Sequence, residues 1–218
     1  MLDKAALRKA LRARRKALGG FDRFQAIRRL EARLERLTRG LSLQAVAAYC
    51  AFDGEPELDG WLKRHRGQIW LPRVLPDRRL AFHHADPLTA CSHRRMPRRR
   101  TNQFGIIESD DPRRRGINSL DALLIPLVGF DARGNRLGMG AGFYDRALTK
   151  RHGRRPLAIG VAFGCQQVDS LPVDPWDQPL DYVVTDTGVI DARRSTGPTP
   201  WDRPTSPRTG DVTRWPTG

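Results

Sequence analysis

The sequence predicts an α/β fold in three layers, α/β/α, built on a mostly parallel, Rossmann-like sheet. Two observations favour this class. Short apolar runs of strand length alternate along the chain with segments of helical periodicity. The run at 45–52 is apolar throughout, which is typical of a strand that is covered on both faces. At 218 residues the chain is long enough for one sizeable core, so a single compact domain is expected.

Two amphipathic helices are predicted at the N-terminus. The first covers residues 3–18 and ends at two glycines; Leu7, Leu11 and Leu18 fall on one stripe. Lys4 and Arg8 are four residues apart and project from one face of its first turn. Taken alone, such a pair indicates only surface charge. The second helix has Ile27, Leu30, Leu34 and Leu37 at helical spacing and stops at Gly40.

Six strands and two further helices follow. The predicted strands cover 45–52, 69–72, 80–85, 120–128, 157–163 and 181–185, and the predicted helices cover 58–65 and 142–151. Strand 80–85 is placed at the edge of the sheet. His83 and His84 resemble a metal pair, but neighbouring strand residues point to opposite faces, so joint ligation is not expected.

The segment 136–146 is the most informative motif. It places Gly138, Gly140 and Gly142 at alternate positions between an apolar run and a helix-like segment. Glycines allow close backbone approach to a ligand, and a helix N-terminus favours anions. The spacing matches neither the phosphate loop nor the dinucleotide motif, so a ligand-free turn and a nucleotide loop are both open. Ligands gather at the carboxyl ends of parallel strands, where this loop, Glu55 and Gln166 are expected to converge.

The net charge of +15, from 39 Lys and Arg against 24 Asp and Glu, raises the hypothesis of a nucleic-acid-binding protein. The basic residues are scattered, and no helix-turn-helix, zinc-finger or ribonucleoprotein motif accompanies them. Nucleic acid is therefore kept as an alternative and is not the expected partner. Arginine is denser at 94–100 and 113–115, which indicates either solvated loops or a landing site for a polyanionic ligand tail.

Other sequence features concern location and domain limits. No apolar run reaches the length of a membrane span and no signal core precedes the first helix, so a cytoplasmic monomer without a membrane partner is expected. Cys50, Cys91 and Cys165 are widely spaced, which argues against a disulfide framework and a zinc site. The composition changes to Ser, Thr, Pro, Gly and Arg near Asp191. Residues 1–190 are therefore predicted as the folded domain and 191–218 as a disordered tail without a catalytic role.

From Lys4 to Thr187 the chain resembles the 5-formyltetrahydrofolate cyclo-ligases, also called methenyltetrahydrofolate synthetases. The resemblance rests on ordered blocks at 4–8, 52–55, 104–108, 124–131 and 136–146, and on Ala162, Phe163, Gln166, Leu171, Pro172 and Asp177. The block 136–146 is highly specific to that family. The resemblance implies an enzyme that uses ATP and Mg²⁺ to convert 5-formyltetrahydrofolate, in polyglutamylated form as a subsidiary hypothesis, to 5,10-methenyltetrahydrofolate. A diverged, non-catalytic binder of folate or nucleotide is the remaining alternative.

The same resemblance implies roles for individual residues. The implied ATP-binding residues are Lys4, Arg8, Arg136, Leu137, Gly138, Met139, Gly140, Ala141, Gly142, Phe143 and Tyr144. The implied substrate-binding residues are Cys50, Glu55, Met139, Gly140, Ala141, Gly142 and Phe143. Asp145 and Asp177 match magnesium-linked positions, and carboxylate oxygens suit that ion. Three residues depart from the pattern: Leu127 replaces a glycine, Ala141 a basic residue or glycine, and Trp176 a histidine.

Overall fold

The computed structural model describes residues 3–88, 90–91, 100–102, 105–153 and 155–193. The helices are α1 (Lys4–Ala17), α2 (Gly20–Gly40), α3 (Asp59–Arg64) and α4 (Phe143–Leu148). The strands are β1 (Ala45–Ala47), β2 (Gln68–Val74), β3 (Leu80–Ala85), β4 (Arg100–Thr101), β5 (Ile107–Glu108), β6 (Arg114–Arg115), β7 (Ala122–Pro126), β8 (Gly129–Phe130), β9 (Arg136–Leu137), β10 (Leu157–Val161), β11 (Tyr182–Val184) and β12 (Val189–Asp191).

Eight of these strands form one mixed sheet in the order β12-β11-β10-β7-β1-β2-β3-β6. The five strands from β11 to β2 are parallel to their neighbours. The outer strands β12, β3 and β6 pair in the antiparallel direction. The predicted fold class is confirmed, although β3 is not the outermost strand because the two-residue strand β6 pairs with it.

The two faces of the sheet are covered by different helices. Alternate strand residues point to opposite faces. Val46 and Leu124 pack with Leu30 of α2 in one buried cluster. Leu123 packs on the other face, in a cluster that includes Leu148 of α4. The alternation therefore produces the three layers that the apolar strand runs predict.

Helix α1 packs against a loop region next to the sheet. Its N-cap residue Asp3 accepts hydrogen bonds from the backbone N–H groups of Ala5 and Ala6. Leu11 is fully buried in a cluster with Val128, Leu137 and Leu171, which belong to the β8–β9 hairpin and its surroundings. A Cβ at position 129 would collide with Leu11, so Gly129 allows this close packing. The first turn of α1 is thereby placed beside the segment that follows β9.

The C-terminal boundary of the fold differs from the predicted one. Strand β12 pairs with β11 through Asp191, and Ala192 is buried. The described fold thus extends to Arg193, three residues past the predicted limit at 190. The rest of the predicted tail, the arginine cluster at 94–99 and Phe104 lie outside the described residues. None of the helices in the described part of the chain combines the length and apolar character needed to cross a membrane.

The spacing of the cysteines argues against a disulfide framework, but the described structure contains one disulfide. Cys50 and Cys91 are disulfide-bonded, with their Cα atoms 5.1 Å apart, and Cys165 is free. The two bonded cysteines are 41 residues apart. Strand β3 runs antiparallel to β2 and ends at the opposite edge of the sheet from the end of β1, but the chain after β3 returns to pack on the sheet, where Ala90 is buried in the same cluster as Cys50. Spacing along the chain carries no sign of this contact.

Candidate active site

A cavity of about 910 Å³ lies beyond the carboxyl ends of the central strands β1 and β7. Its wall contains every site residue that the family resemblance implies: Lys4, Arg8, Cys50, Glu55, Arg136, Leu137, Gly138, Met139, Gly140, Ala141, Gly142, Phe143, Tyr144, Asp145 and Asp177. They come from four separate parts of the chain. The parallel sheet brings them together because the connections after β1 and β7 leave from the same edge.

The glycine loop joins β9 to α4 and is fastened to α1. Gly140 and Gly142 have φ values of 102° and 66°, in the region that side chains other than glycine rarely adopt. Gly142 is the N-cap residue of α4. Arg8 Nε donates a hydrogen bond to the carbonyl oxygen of Gly138 at 2.8 Å. The loop conformation thus depends on the glycines and on a cation that reaches across from α1.

Arg136 and Asp145 form an ion pair at the base of the loop. A terminal nitrogen of Arg136 donates to Asp145 Oδ1 at 2.5 Å, and the Arg136 side chain is only 5% exposed. The same oxygen accepts the backbone N–H of Gln178 at 3.3 Å. Arg136 Nε is buried and has no hydrogen-bond partner among the described residues. Arg136 lines the cavity, and a guanidinium group at this position suits an anionic ligand.

Lys4, at the start of α1, is paired with two carboxylates that also line the cavity. Its Nζ donates to Asp174 Oδ2 at 2.7 Å and to Asp177 Oδ2 at 2.8 Å. Burial tends to raise the pKa of Asp177, but the N–H of Asp174 and the Lys4 ammonium outweigh it and hold that pKa below its usual range. Asp174 was not predicted as a site residue. The only sequence signal is its position three residues before Asp177, on a turn closed by the Asp177 N–H to the Asp174 carbonyl.

Glu55 is delivered to the cavity by a tight turn over residues 52–55. Asp53 and Gly54 have φ values of 52° and 82°, and the Glu55 N–H donates to the Phe52 carbonyl at 3.0 Å. Positive φ at both central residues is typical of a type I′ turn, for which Asp-Gly is a favoured pair. Strand β1 covers only the first three residues of the predicted strand 45–52, so the chain has left the sheet before this turn begins.

Three cations of α1 hold the turn in place through Asp53. Its carboxylate lies 2.7 Å from Arg12 Nε, 2.9 Å from a terminal nitrogen of Arg15 and 2.5 Å from Lys16 Nζ. The hydrogen bond from Arg12 is the main reason that the pKa of Asp53 lies well below its usual range. Helix α1 therefore positions both the glycine loop and the Glu55 turn.

Glu55 is a buried carboxyl group in the cavity wall, with 8% of its surface exposed. Its Oε2 accepts the backbone N–H of Phe52 at 3.1 Å. Burial raises the pKa of Glu55 to about 7. Burial also raises the pKa of Tyr49 and of Tyr144 well above the usual range, so both hydroxyls stay protonated. The site thus combines a carboxyl group that can exchange a proton near neutral pH with two neutral hydroxyls.

Comparison with known proteins decides the family. The model of the 5-formyltetrahydrofolate cyclo-ligase family matches residues 1–186. The chain belongs to this family. It is 33% identical over 183 residues to the 5-formyltetrahydrofolate cyclo-ligase of Haemophilus influenzae, covering 80% of this chain and 92% of that protein.

Two solved structures of 5,10-methenyltetrahydrofolate synthetases share the fold. The protein from Aquifex aeolicus aligns with a TM-score of 0.73 and 30% identity, over 88% of this chain and 94% of its own. The protein from Mycoplasma pneumoniae aligns with a TM-score of 0.66 and 28% identity, over 85% of this chain and 99% of its own. The resemblance stated from the sequence is thereby confirmed.

Leu127, the first departure from the cyclo-ligase pattern, is accommodated by the fold. It is buried, and its side chain covers Gly160, where an added Cβ would lie 2.8 Å from Leu127 Cδ1. Its carbonyl accepts hydrogen bonds from Arg15 at 3.0 Å and from Gln166 Nε2 at 2.6 Å. Gln166 is fully buried and does not contribute to the cavity wall, so the expectation that it joins the site is wrong. It supports the backbone between β7 and β8.

The other two departures from the family pattern lie in the cavity wall. Ala141 provides no cation, but its carbonyl accepts a hydrogen bond from Arg146 at 2.8 Å. A guanidinium group therefore lies beside the loop at this position. Trp176 is 65% exposed while lining the cavity, as Met139 does at 46%. Both offer apolar surface to a ligand.

Proposed function

We propose that this chain catalyses the ATP-dependent cyclisation of 5-formyltetrahydrofolate to 5,10-methenyltetrahydrofolate, with release of ADP and phosphate. The observation that carries the proposal is the convergence of all the implied site residues on one cavity, in a chain that belongs to the cyclo-ligase family. A volume of about 910 Å³ is near the upper end for ligand pockets, which run from about 300 to 1,000 Å³. Two substrates that must react with each other need such a space.

The chemical difficulty is that an amide oxygen is a very poor leaving group. Transfer of the γ-phosphoryl group to the formyl oxygen makes it a good one, after which N10 attacks the formyl carbon and phosphate departs. Lys4, Arg8 and Arg136 bind phosphate oxygens and stabilise the charge that moves during transfer. All three cations line the cavity, which supports this role.

The folate is assigned to the part of the cavity near Glu55. Its carboxyl group hydrogen-bonds the N–H groups of the pterin, and Met139 and Phe143 supply apolar contacts with the rings. Cys50 lies in the same wall, where its disulfide fixes the neighbouring backbone. Tight positioning matters because the reaction needs little beyond alignment of the phosphoryl group, the formyl oxygen and N10.

The donor set also fits a magnesium ion. Asp145 and Asp177 lie near each other, since Asp145 accepts the N–H of Gln178. Mg²⁺ is commonly held by one or two carboxylates together with substrate phosphates and water. Asp145 and Asp177 would hold the ion, which when bound neutralises phosphate charge.

The decisive experiment measures the absorbance of 5,10-methenyltetrahydrofolate formed by purified protein from 5-formyltetrahydrofolate, ATP and Mg²⁺. Product should appear only with both ATP and the metal ion. Asp145→Asn should abolish most of the activity, whereas Glu57→Gln, a half-exposed carboxylate outside the cavity wall, should retain it. Correctly folded wild-type protein that forms no product would overturn the proposal.

Preference for polyglutamylated folate remains a separate proposal. Residues 113–115, the described arginine cluster, do not contribute to the cavity wall. Their position at the sheet edge allows contact only with a tail that extends beyond the cavity. Equal Michaelis constants for mono- and polyglutamate substrates would contradict this preference.

A further inference from the structure

In the cavity, two cations assigned to the nucleotide form ion pairs with the two carboxylates assigned to the metal ion. Lys4 and Arg136, assigned to phosphate oxygens, form ion pairs with Asp177 and Asp145, assigned to the metal ion. Each ligand would therefore have to break an ion pair that the other ligand also breaks. A nucleotide alone leaves carboxylates without cations, and a divalent cation alone must displace positive side chains.

Asp174 gives one of these pairs a third member. The two carboxylates hold Lys4 Nζ at 2.7 Å and 2.8 Å, and the Asp174 N–H donates to the same Asp177 oxygen at 2.9 Å. Lys4 is 22% exposed, Asp177 21% and Asp174 42%. An ammonium group has three donors, so Lys4 can keep Asp174 while it exchanges its second partner.

We propose, on the basis of the function proposed above, that Asp174 is a positioning residue that retains Lys4 at the cavity while Lys4 exchanges Asp177 for a nucleotide phosphate. The exchange frees Asp177 for the divalent cation, so nucleotide and cation bind cooperatively. Asp174 acts through Lys4 and makes no contact with the metal ion. By holding the flexible Lys4 side chain in place, Asp174 reduces the conformational entropy that Lys4 loses when it binds the phosphate.

The test is a double-mutant cycle on binding, without turnover. Affinity for a non-hydrolysable ATP analogue with Mg²⁺ is measured by calorimetry for wild type, Asp174→Asn, Lys4→Met and the double variant. Asp174→Asn should weaken binding about tenfold, in line with the loss of a charged hydrogen bond. In the Lys4→Met background it should have no further effect, since a residue that acts through Lys4 gives strongly non-additive changes.

Mn²⁺ binding to the nucleotide-free protein, followed by electron paramagnetic resonance, supplies an independent readout. Lys4→Met should bind Mn²⁺ more tightly than wild type, because Asp177 is released. Asp174→Asn in that background should leave the Mn²⁺ affinity unchanged. A fall in affinity would make Asp174 a metal ligand and overturn the proposal.

Controls separate this proposal from general effects of charge and from the proposed function. Glu57→Gln removes a carboxylate that is 43% exposed and pairs with Arg23, so it should change neither affinity. Asp174→Glu should restore nucleotide affinity. Additive effects of the two substitutions would overturn the role of Asp174, even in a protein that cyclises the folate. If the protein does not convert the folate but the two substitutions affect nucleotide binding non-additively, the proposed function is overturned. The proposed exchange of Asp177 for a phosphate by Lys4 then still stands.

Discussion

Individual side chains in the cavity carry charges that depend on burial, and Glu55 is the clearest case. An exposed Glu has a pKa of 4.5, and burial raises that of Glu55 to about 7. The folded protein therefore binds an extra proton between these values. The stability that results is fully present below pH 4.5 and is lost as the pH rises through 7. Above that range the buried carboxylate costs stability, which is a common feature of functional sites.

Replacement of Glu55 by Gln should remove this cost. Gln keeps an oxygen that can accept the N–H of Phe52, so the turn should survive. At pH 8 the variant should be more stable than wild type, with an upper value of about 3 kcal/mol for a shift of this size. At pH 4.5 the difference in stability between the variant and wild type should vanish. Substrate affinity should fall at both pH values. Denaturant unfolding at the two pH values measures the effect, with Glu57→Gln as the matched control.

An equal stabilisation at both pH values would contradict the assigned protonation of Glu55. It would show instead that the gain comes from packing. If Glu57→Gln is also stabilised equally at both pH values, the gain is a general effect of removing a negative charge from a strongly basic protein.

Among the elements, α1 connects the core to the site. It carries Lys4 and Arg8 on its first turns, and its buried Leu11 fixes it to the β8–β9 hairpin. Leu11→Ala and Leu30→Ala both remove fully buried leucines, so each should cost about 2–5 kcal/mol of unfolding free energy. Only Leu11→Ala should also raise the KM for ATP severalfold, because Leu30 lies on α2. Equal KM values for ATP in the two variants would show that the packing of α1 does not affect nucleotide binding.

A second prediction at the scale of elements concerns the stability of the glycine loop. Gly142→Ala places a side chain at φ 66°, which should cost about 1–2 kcal/mol of stability. Gly138→Ala is the control within the same loop, since a Cβ there meets nothing within 4 Å. Chemical denaturation of the two variants compares them directly. A loss as large in Gly138→Ala would show that the loop resists any added Cβ, whatever its backbone conformation.

The sequence predicts elements well where a repeated pattern exists. The Leu30 and Leu34 stripe identifies α2, and the predicted strand at 120–128, apolar from residue 122 onward, contains β7. Strands of two residues such as β6 have no pattern to detect, and β12 stands at the start of a segment whose composition indicates a tail. The specific block at 136–146 identifies the loop. The partners of Lys4 are 170 and 173 residues away, so only the fold reveals them.

For the whole molecule, the net charge of +15 acquires a second explanation. Both proposed substrates are anions, and a positive protein attracts anions over distances comparable with the Debye length. The attraction weakens as salt rises. Nucleic-acid binding is therefore not needed to account for the composition, and its absence stays a prediction from the sequence.

The limits of the folded unit supply the last prediction. Ala192 is buried, and its N–H donates to the Asp181 carbonyl at 3.1 Å, so a chain that ends at Arg193 keeps every described contact of β12. That variant should match the full chain in melting temperature and kcat/KM. A chain that ends at Gly188 should melt at a lower temperature, because β11 loses its outer partner and the space beside Gly134 is emptied. Lower activity in the chain ending at Arg193, at unchanged melting temperature, would assign residues 194–218 a direct role in catalysis.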